Sequence, residues 1–96
     1  MKTFAVIGLG RFGSAVAEEL CKLGHEVLAV DASEEPIQEI ADKVTHAVIC
    51  DARSVNALAS IGIRNCDCAI VTVGNDLGTS TLITLNLKEM GIPQVI

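Results

Sequence analysis

Short apolar runs recur along the chain, each bounded by turn-forming residues. Phe4-Ala5-Val6-Ile7 is the first. Val27-Leu28-Ala29-Val30, Ala47-Val48-Ile49 and Ala69-Ile70-Val71-Thr72-Val73 follow, and a fifth run begins at Gln94-Val95-Ile96. The runs are rich in β-branched residues and nearly continuous rather than alternating. Strands covered on both faces have this pattern, and they belong to parallel sheets. Between the runs the spacing becomes helical. From Arg11 to Leu23, the apolar residues Phe12, Val16, Leu20 and Leu23 recur at steps of four, four and three, with Gly24 as a stop. A helix from Ser33 to Lys43 is predicted by a stripe of Ile37, Ile40 and Ala41 that continues to Val44. A third stripe lies between Ser54 and Ile61, closed by Gly62. The segment from Leu77 to Met90 alternates enough to pass for a strand. Its length, the Lys88-Glu89 ending, Gly91 and Pro93 predict a helix instead.

The predicted strands start near Thr3, Glu26, His46, Asp67 and Gln94, so they lie 20 to 27 residues apart. This βα rhythm predicts one α/β domain. Its simplest form is an open parallel sheet of order 3-2-1-4-5, with right-handed crossovers and helices on both faces. No linker or low-complexity stretch divides it. The chain stops three residues after Pro93, inside a predicted strand, and is expected to be a truncated fragment of a longer protein.

The first strand runs into Gly8-Leu9-Gly10-Arg11-Phe12-Gly13, a G-x-G-x-x-G that opens a helix. Asp31, at the end of the second strand, follows Gly13 by 18 residues. Together these contexts form the fingerprint of a Rossmann-like dinucleotide site. Gly8 permits a tight turn out of the strand. Gly10 removes a side chain where a pyrophosphate approaches the backbone, and Gly13 lets the helix pack close to the sheet. The free N–H groups of the helix start then point at the anion, aided by the helix dipole. Asp31 accepts hydrogen bonds from an adenosine ribose and repels a 2′-phosphate, which disfavours NADP. The competing reading is a structural glycine turn, with Asp31 capping the next helix.

Ligands of such sheets lie beyond the carboxyl ends of the strands. Cys50-Asp51-Ala52-Arg53 ends the third strand and is placed to border the adenine. Thr72-Val73-Gly74-Asn75-Asp76 ends the fourth and faces the glycine loop. Asp51 either accepts from the adenine amino group or caps the helix after Ser54. Asn75 and Asp76 either meet a second ribose or cap the following helix. Arg11 is either a phosphate-binding fork or a solvated first-turn residue. The candidate ligand-binding residues are therefore Gly8, Gly10, Arg11, Phe12, Gly13, Asp31, Asp51, Ala52, Thr72, Val73, Gly74 and Asn75. The same rule puts His25 and His46 at the amino edge, away from the cleft. No catalytic residue is identified, and such a site reads as a sensor or as the cofactor half of a divided enzyme.

Composition narrows the picture further. Half of the 96 residues are hydrophobic, which supplies a core and excludes disorder. Phe4 and Phe12 are the only aromatics, net charge is −5, and no basic run occurs, so nucleic acid is a poor partner. No apolar stretch approaches the roughly 18 residues of a membrane span. Lys2 precedes an apolar segment, but Gly8, Gly10 and Arg11 interrupt it and no cleavage site follows. A signal peptide is rejected, and the cell interior is the expected compartment. Cys21, Cys50, Cys66 and Cys68 read as small buried hydrophobes; the C-x-C spacing lacks a zinc knuckle, and no metal is expected.

The segments from Phe4 to Gly13 and from Gly24 to Asp31 resemble the RCK/KTN regulatory domain of Trk/Ktr-type potassium-uptake systems, most closely the Ktr type. His46-Ala47-Val48-Ile49, Gly62-Ile63-Arg64-Asn65 and the Leu-Lys-Glu-Met-Gly-Ile-Pro close extend the resemblance over essentially the whole chain. It implies that residues 1–96 form the nucleotide-binding N-terminal lobe, without the sixth strand, crossover helix and C-terminal lobe. It implies a regulatory role: an adenine nucleotide (NAD(H), ATP or ADP) is sensed, and a membrane potassium transporter subunit is gated by a cytoplasmic homo-oligomeric ring at the inner face of the membrane. Gly8, Gly10 and Gly13 then hold phosphates, Asp31 the ribose and Asp51 the adenine. Arg11 reaches the terminal phosphate of a nucleotide in a neighbouring subunit. The alternatives are the cofactor domain of an NAD-dependent dehydrogenase or reductase, and an interaction domain with a vestigial fingerprint.

Overall fold

A computed structural model describes residues 1–73 and 77–96. Five strands alternate with helices in the order β1 (Thr3–Ile7), α1 (Arg11–Lys22), β2 (Glu26–Asp31), α2 (Glu34–Ile40), β3 (His46–Ile49), α3 (Val55–Ser60), a 3₁₀ turn (Ile63–Asn65), β4 (Cys68–Val71), α4 (Leu77–Glu89) and β5 (Gln94–Val95). The sheet has the order β3-β2-β1-β4-β5, and all four pairings are parallel. The 3-2-1-4-5 architecture expected from the βα rhythm is thus the observed one.

Alternate residues of the central strands feed two cores. Ala5, Ile7, Leu28 and Val30 join Leu58, Ile63, Ile83 and Leu87, so α3 and α4 cover one face. Val6, Val27 and Ala29 join Ala17, Ile37 and Ile40, so α1 and α2 cover the other. Val6, Val27 and Val30 are fully buried, as strands enclosed on both faces require. The left-handed Gly24, Gly62 and Gly91 fall where the expected helices stop.

Two expectations are corrected. The face of α1 differs from the predicted stripe: Phe12 and Leu23 are 69% and 66% exposed, whereas Gly13 and Ala17 are buried. The close approach of Gly13 to the β1 turn sets the rotation of the helix. Val16, Leu20 and Cys21 then flank the Gly13–Ala17 line against the sheet. The second helix ends at Ile40 rather than Lys43; residues 41–43 form a turn that brings Val44 into the core.

Candidate functional site

The turn from β1 into α1 is built from three residues. Gly8 is left-handed (φ +99°), and a Cβ there would lie 2.6 Å from the Thr72 carbonyl oxygen. A Cβ on Gly13 would collide with the Gly8 carbonyl oxygen and lie 2.5 Å from Thr72 Oγ1. Thr72 Oγ1 itself donates to the Gly8 carbonyl at 2.6 Å. The two glycines and Thr72 therefore interlock, and each is required by the chain's own packing.

Gly10 is different. Its backbone is ordinary (φ −71°), and nothing lies within 4 Å of a Cβ built on it. The protein itself gives no reason for glycine here. It is also the N-cap of α1, and no side chain caps the helix. The N–H groups of Gly10, Arg11, Phe12 and Gly13 find no acceptor among the described residues. Ser14 N–H is the first to bond back, to the Gly10 carbonyl at 2.9 Å. Helix starts always leave such donors, and side chains or bound groups normally satisfy them.

Asp31 faces this loop from the end of β2. Its Oδ2 accepts from Leu9 N–H at 2.8 Å and its Oδ1 from Ser33 N–H at 2.9 Å. The carboxylate thus joins the glycine loop to the start of the next helix. The carboxylate lines the cleft, and it also holds the backbone of Ser33, the residue before α2.

Two adjoining clefts open at this edge. One, of about 350 Å³, is lined by residues 8–13 with Asp31, Thr72 and Val73. The other, of about 240 Å³, runs between the β3–α3 turn and α4, past Asp31, Asp51, Ala52 and Ile83. Gly8, Asp31 and Val73 border both. Phe12 and Arg11 lie at the rim of the first, both exposed. Gly74 and Asn75, with Asp76, lie outside the described residues.

The β3–α3 turn holds its own charges. Arg53 donates through Nε to Asp51 Oδ1 (3.0 Å) and through Nη2 to Oδ2 (2.9 Å), and its backbone N–H also donates to Oδ1 (3.0 Å). These bonds, with the guanidinium charge, hold the Asp51 carboxyl below the usual carboxylate range. The helix cap is Ser54, whose Oγ accepts from Ala57 N–H at 3.2 Å. Asp51 therefore caps the turn, and Ser54 caps the helix.

Sequence reasoning missed Asn86. It is the one buried polar side chain among the described residues, 7% exposed, and its Nδ2 donates to the carbonyls of Ala52 (3.4 Å) and Arg53 (3.1 Å). A lone amide inside Leu85-Asn86-Leu87 was the available signal.

The histidines are at the opposite edge. His25 Nδ1 accepts from Lys2 N–H, and its ring stands edge-on to Phe4; His46 lies 3.7 Å from Glu26. Cys50, Cys66 and Cys68 are buried, Cys21 is half-buried, and all four are free thiols. Burial, reinforced by the Asp67 charge, pushes the Cys66 thiol up to about 11; burial raises Cys50 and Cys68 too. Such thiols are poor nucleophiles at neutral pH. Among the described residues no cluster of His, Cys, Asp or Glu is placed to hold a metal, and no helix is long and apolar enough to cross a membrane.

Residues 4–96 match the family model of the TrkA-N domain. The Ktr system potassium uptake protein A of Bacillus subtilis (strain 168) is 53% identical over 94 residues, which cover 98% of this chain and 42% of that protein. The Ktr system potassium uptake protein C of the same organism is 45% identical over 91 residues, covering 95% and 41%. The chain spans about two fifths of the length of these relatives. Among solved structures, the NAD(P)-binding domain of an exopolyphosphatase-related protein from Archaeoglobus fulgidus superposes with a TM-score of 0.81 at 28% identity, covering 95% of this chain and 68% of that one.

Proposed function

Because the chain belongs to the TrkA-N domain family, we propose that it is the nucleotide-sensing lobe of a regulatory subunit that gates a membrane potassium transporter. Residues 1–96 are the N-terminal lobe of that subunit, which works as a cytoplasmic homo-oligomer at the inner face of the membrane. The names of the Ktr relatives support the potassium-uptake role. The ligand is an adenine nucleotide: NAD(H), ATP or ADP.

One observation carries the nucleotide reading. Gly10 is a glycine that the packing of the described residues does not require, set beside helix-start amides that have no acceptor among those residues. A phosphate group accounts for both, since it needs close backbone approach and supplies acceptor oxygens. Asp31 stands in the same cleft, where its free lone pairs receive ribose hydroxyls. Its negative charge opposes a 2′-phosphate, which disfavours NADP. The adjoining cleft takes the base, with Asp51 and Ala52 on one wall. Thr72 and Val73 close the floor of the loop.

Regulation requires contacts that differ between two states. ATP brings more negative charge than ADP or NAD, and Arg11, exposed at the rim, supplies a fork to receive it from a neighbouring subunit. The described clefts hold no histidine or activated thiol, which favours a sensor over a dehydrogenase.

Calorimetric titration with ATP, ADP, NADH and NADPH tests the assignment. Saturable binding of the first three, with NADPH weaker than NADH, is the expected result. Absence of saturable binding for all four rejects it in favour of a vestigial fingerprint. In the same titration, an Arg11→Ala chain that keeps an unchanged ATP-to-ADP preference removes Arg11 from the mechanism.

A further inference from the structure

A helix interior is a poor place for asparagine, and an apolar face is a worse one. Its helix propensity is well below that of leucine, and burying an amide costs free energy unless its hydrogen bonds are replaced. Asn86 nevertheless sits on the inner face of α4 between two leucines, 7% exposed. Its two amide hydrogens match two acceptors, the carbonyls of Ala52 and Arg53. Neither carbonyl is used by α3, whose first acceptor is Ser54, bonded by Leu58 N–H. Ala52 is 5% exposed, so water has little access to its carbonyl. The amide is thus the element that lets this turn lie against the helix.

The location gives the tie a consequence. The base-side cleft has the β3–α3 turn as one wall, through Asp51 and Ala52, and α4 as the other, through Thr79 and Ile83. Thr79, Ile83 and Asn86 follow one another at steps of four and three, so they lie on one stripe of α4. The first two face the cleft, and the third fastens the opposite wall one turn further along. Asn86 therefore ties one wall of the cleft to the other.

Building on the proposed nucleotide site, we infer that Asn86 is a positioning residue for its base subsite, holding the Asp51–Arg53 turn at the distance from α4 that a planar base requires. Asn86 touches no ligand; it acts through the turn. The phosphate cradle at residues 8–13 belongs to a different loop and does not depend on it.

The test compares a ligand that uses both subsites with one that uses only the cradle. Binding of ATP and of inorganic tripolyphosphate is measured by calorimetry on the chain, on Asn86→Leu and on Asn86→Ser, with thermal melting to establish that each is folded. Leucine fits the volume but donates nothing, and serine is too short to reach both carbonyls. The expected result is an ATP affinity lower by about tenfold, the scale of one or two lost hydrogen bonds, with tripolyphosphate affinity unchanged. Asn86→Ser provides the same comparison if Asn86→Leu does not fold. Unchanged ATP affinity, or an equal loss for both ligands, overturns the inference while leaving the nucleotide site intact. A parent chain that binds neither ligand overturns the site and the inference together.

Discussion

Two helices, α1 and α3, begin at the carboxyl edge of the sheet on opposite faces, and they begin in different ways. At α3 a side chain caps the helix: Ser54 accepts from Ala57 N–H, Asp51 takes the Arg53 N–H, and Arg53 pairs with Asp51. At α1 the N-cap is a glycine with no side chain to offer, and the first amides have no acceptor among the described residues. Glycine in place of a capping serine costs about a few tenths of a kcal/mol. The open start at α1 is the place that the proposed nucleotide site assigns to a phosphate. The contrast also separates two kinds of glycine. Gly8 and Gly13 serve the fold, because any side chain would strike the backbone; Gly10 serves the opening.

The contrast is most strongly broken at Gly13. Alanine there meets the Gly8 carbonyl and Thr72, so Gly13→Ala should lose about 3 kcal/mol of stability or fail to fold, as read from denaturant unfolding. A smaller and more informative change exchanges the two helix starts. Gly10→Ser supplies the missing cap in a backbone conformation that suits one, and should stabilise the chain by about 0.5 kcal/mol while weakening nucleotide binding at least about tenfold. Ser54→Ala should do the reverse: about 1 kcal/mol less stable, with binding unchanged. Loss of binding in Ser54→Ala, or full binding in Gly10→Ser, would erase the distinction. The smallest effect belongs to Asp51. Its folded pKa is depressed, so its contribution is complete above its unfolded value of about 4 and disappears as pH falls through the folded value. Asp51→Asn should flatten that acid limb of the stability profile only slightly, because the pair is exposed.

Most of the scaffold was legible in the sequence because parallel strands advertise themselves. Val27-Leu28-Ala29-Val30 is apolar on both faces, and it lies second from the edge, enclosed by helices. Strand starts at Thr3, Glu26, His46 and Gln94 fall where the apolar runs begin. The face of α1 was misread for a physical reason. Its closest packing is made by Gly13 and Ala17, whose small side chains give no hydrophobic signal, so the larger Phe12 and Leu23 took their place in the pattern. The glycine loop and Asp31 were legible as a candidate site because each position demands a specific chemistry. The Asp51–Arg53 pair and the Asn86 tie were not. One depends on a loop conformation, and the other joins residues more than thirty positions apart, where no local spacing reports contact.

Asp31 was described as fastened to Leu9 and Ser33. A carboxylate offers about four lone-pair positions, so two remain after these bonds, and the proposed site gives them to a sugar. Its orientation is fixed during folding and needs no later adjustment. An occupant of the proposed site would meet a carboxylate already held by two backbone bonds, which lowers the cost of ordering it. On the proposed function, a difference between occupants rests on their charge and length rather than on a rearrangement of this pre-held carboxylate.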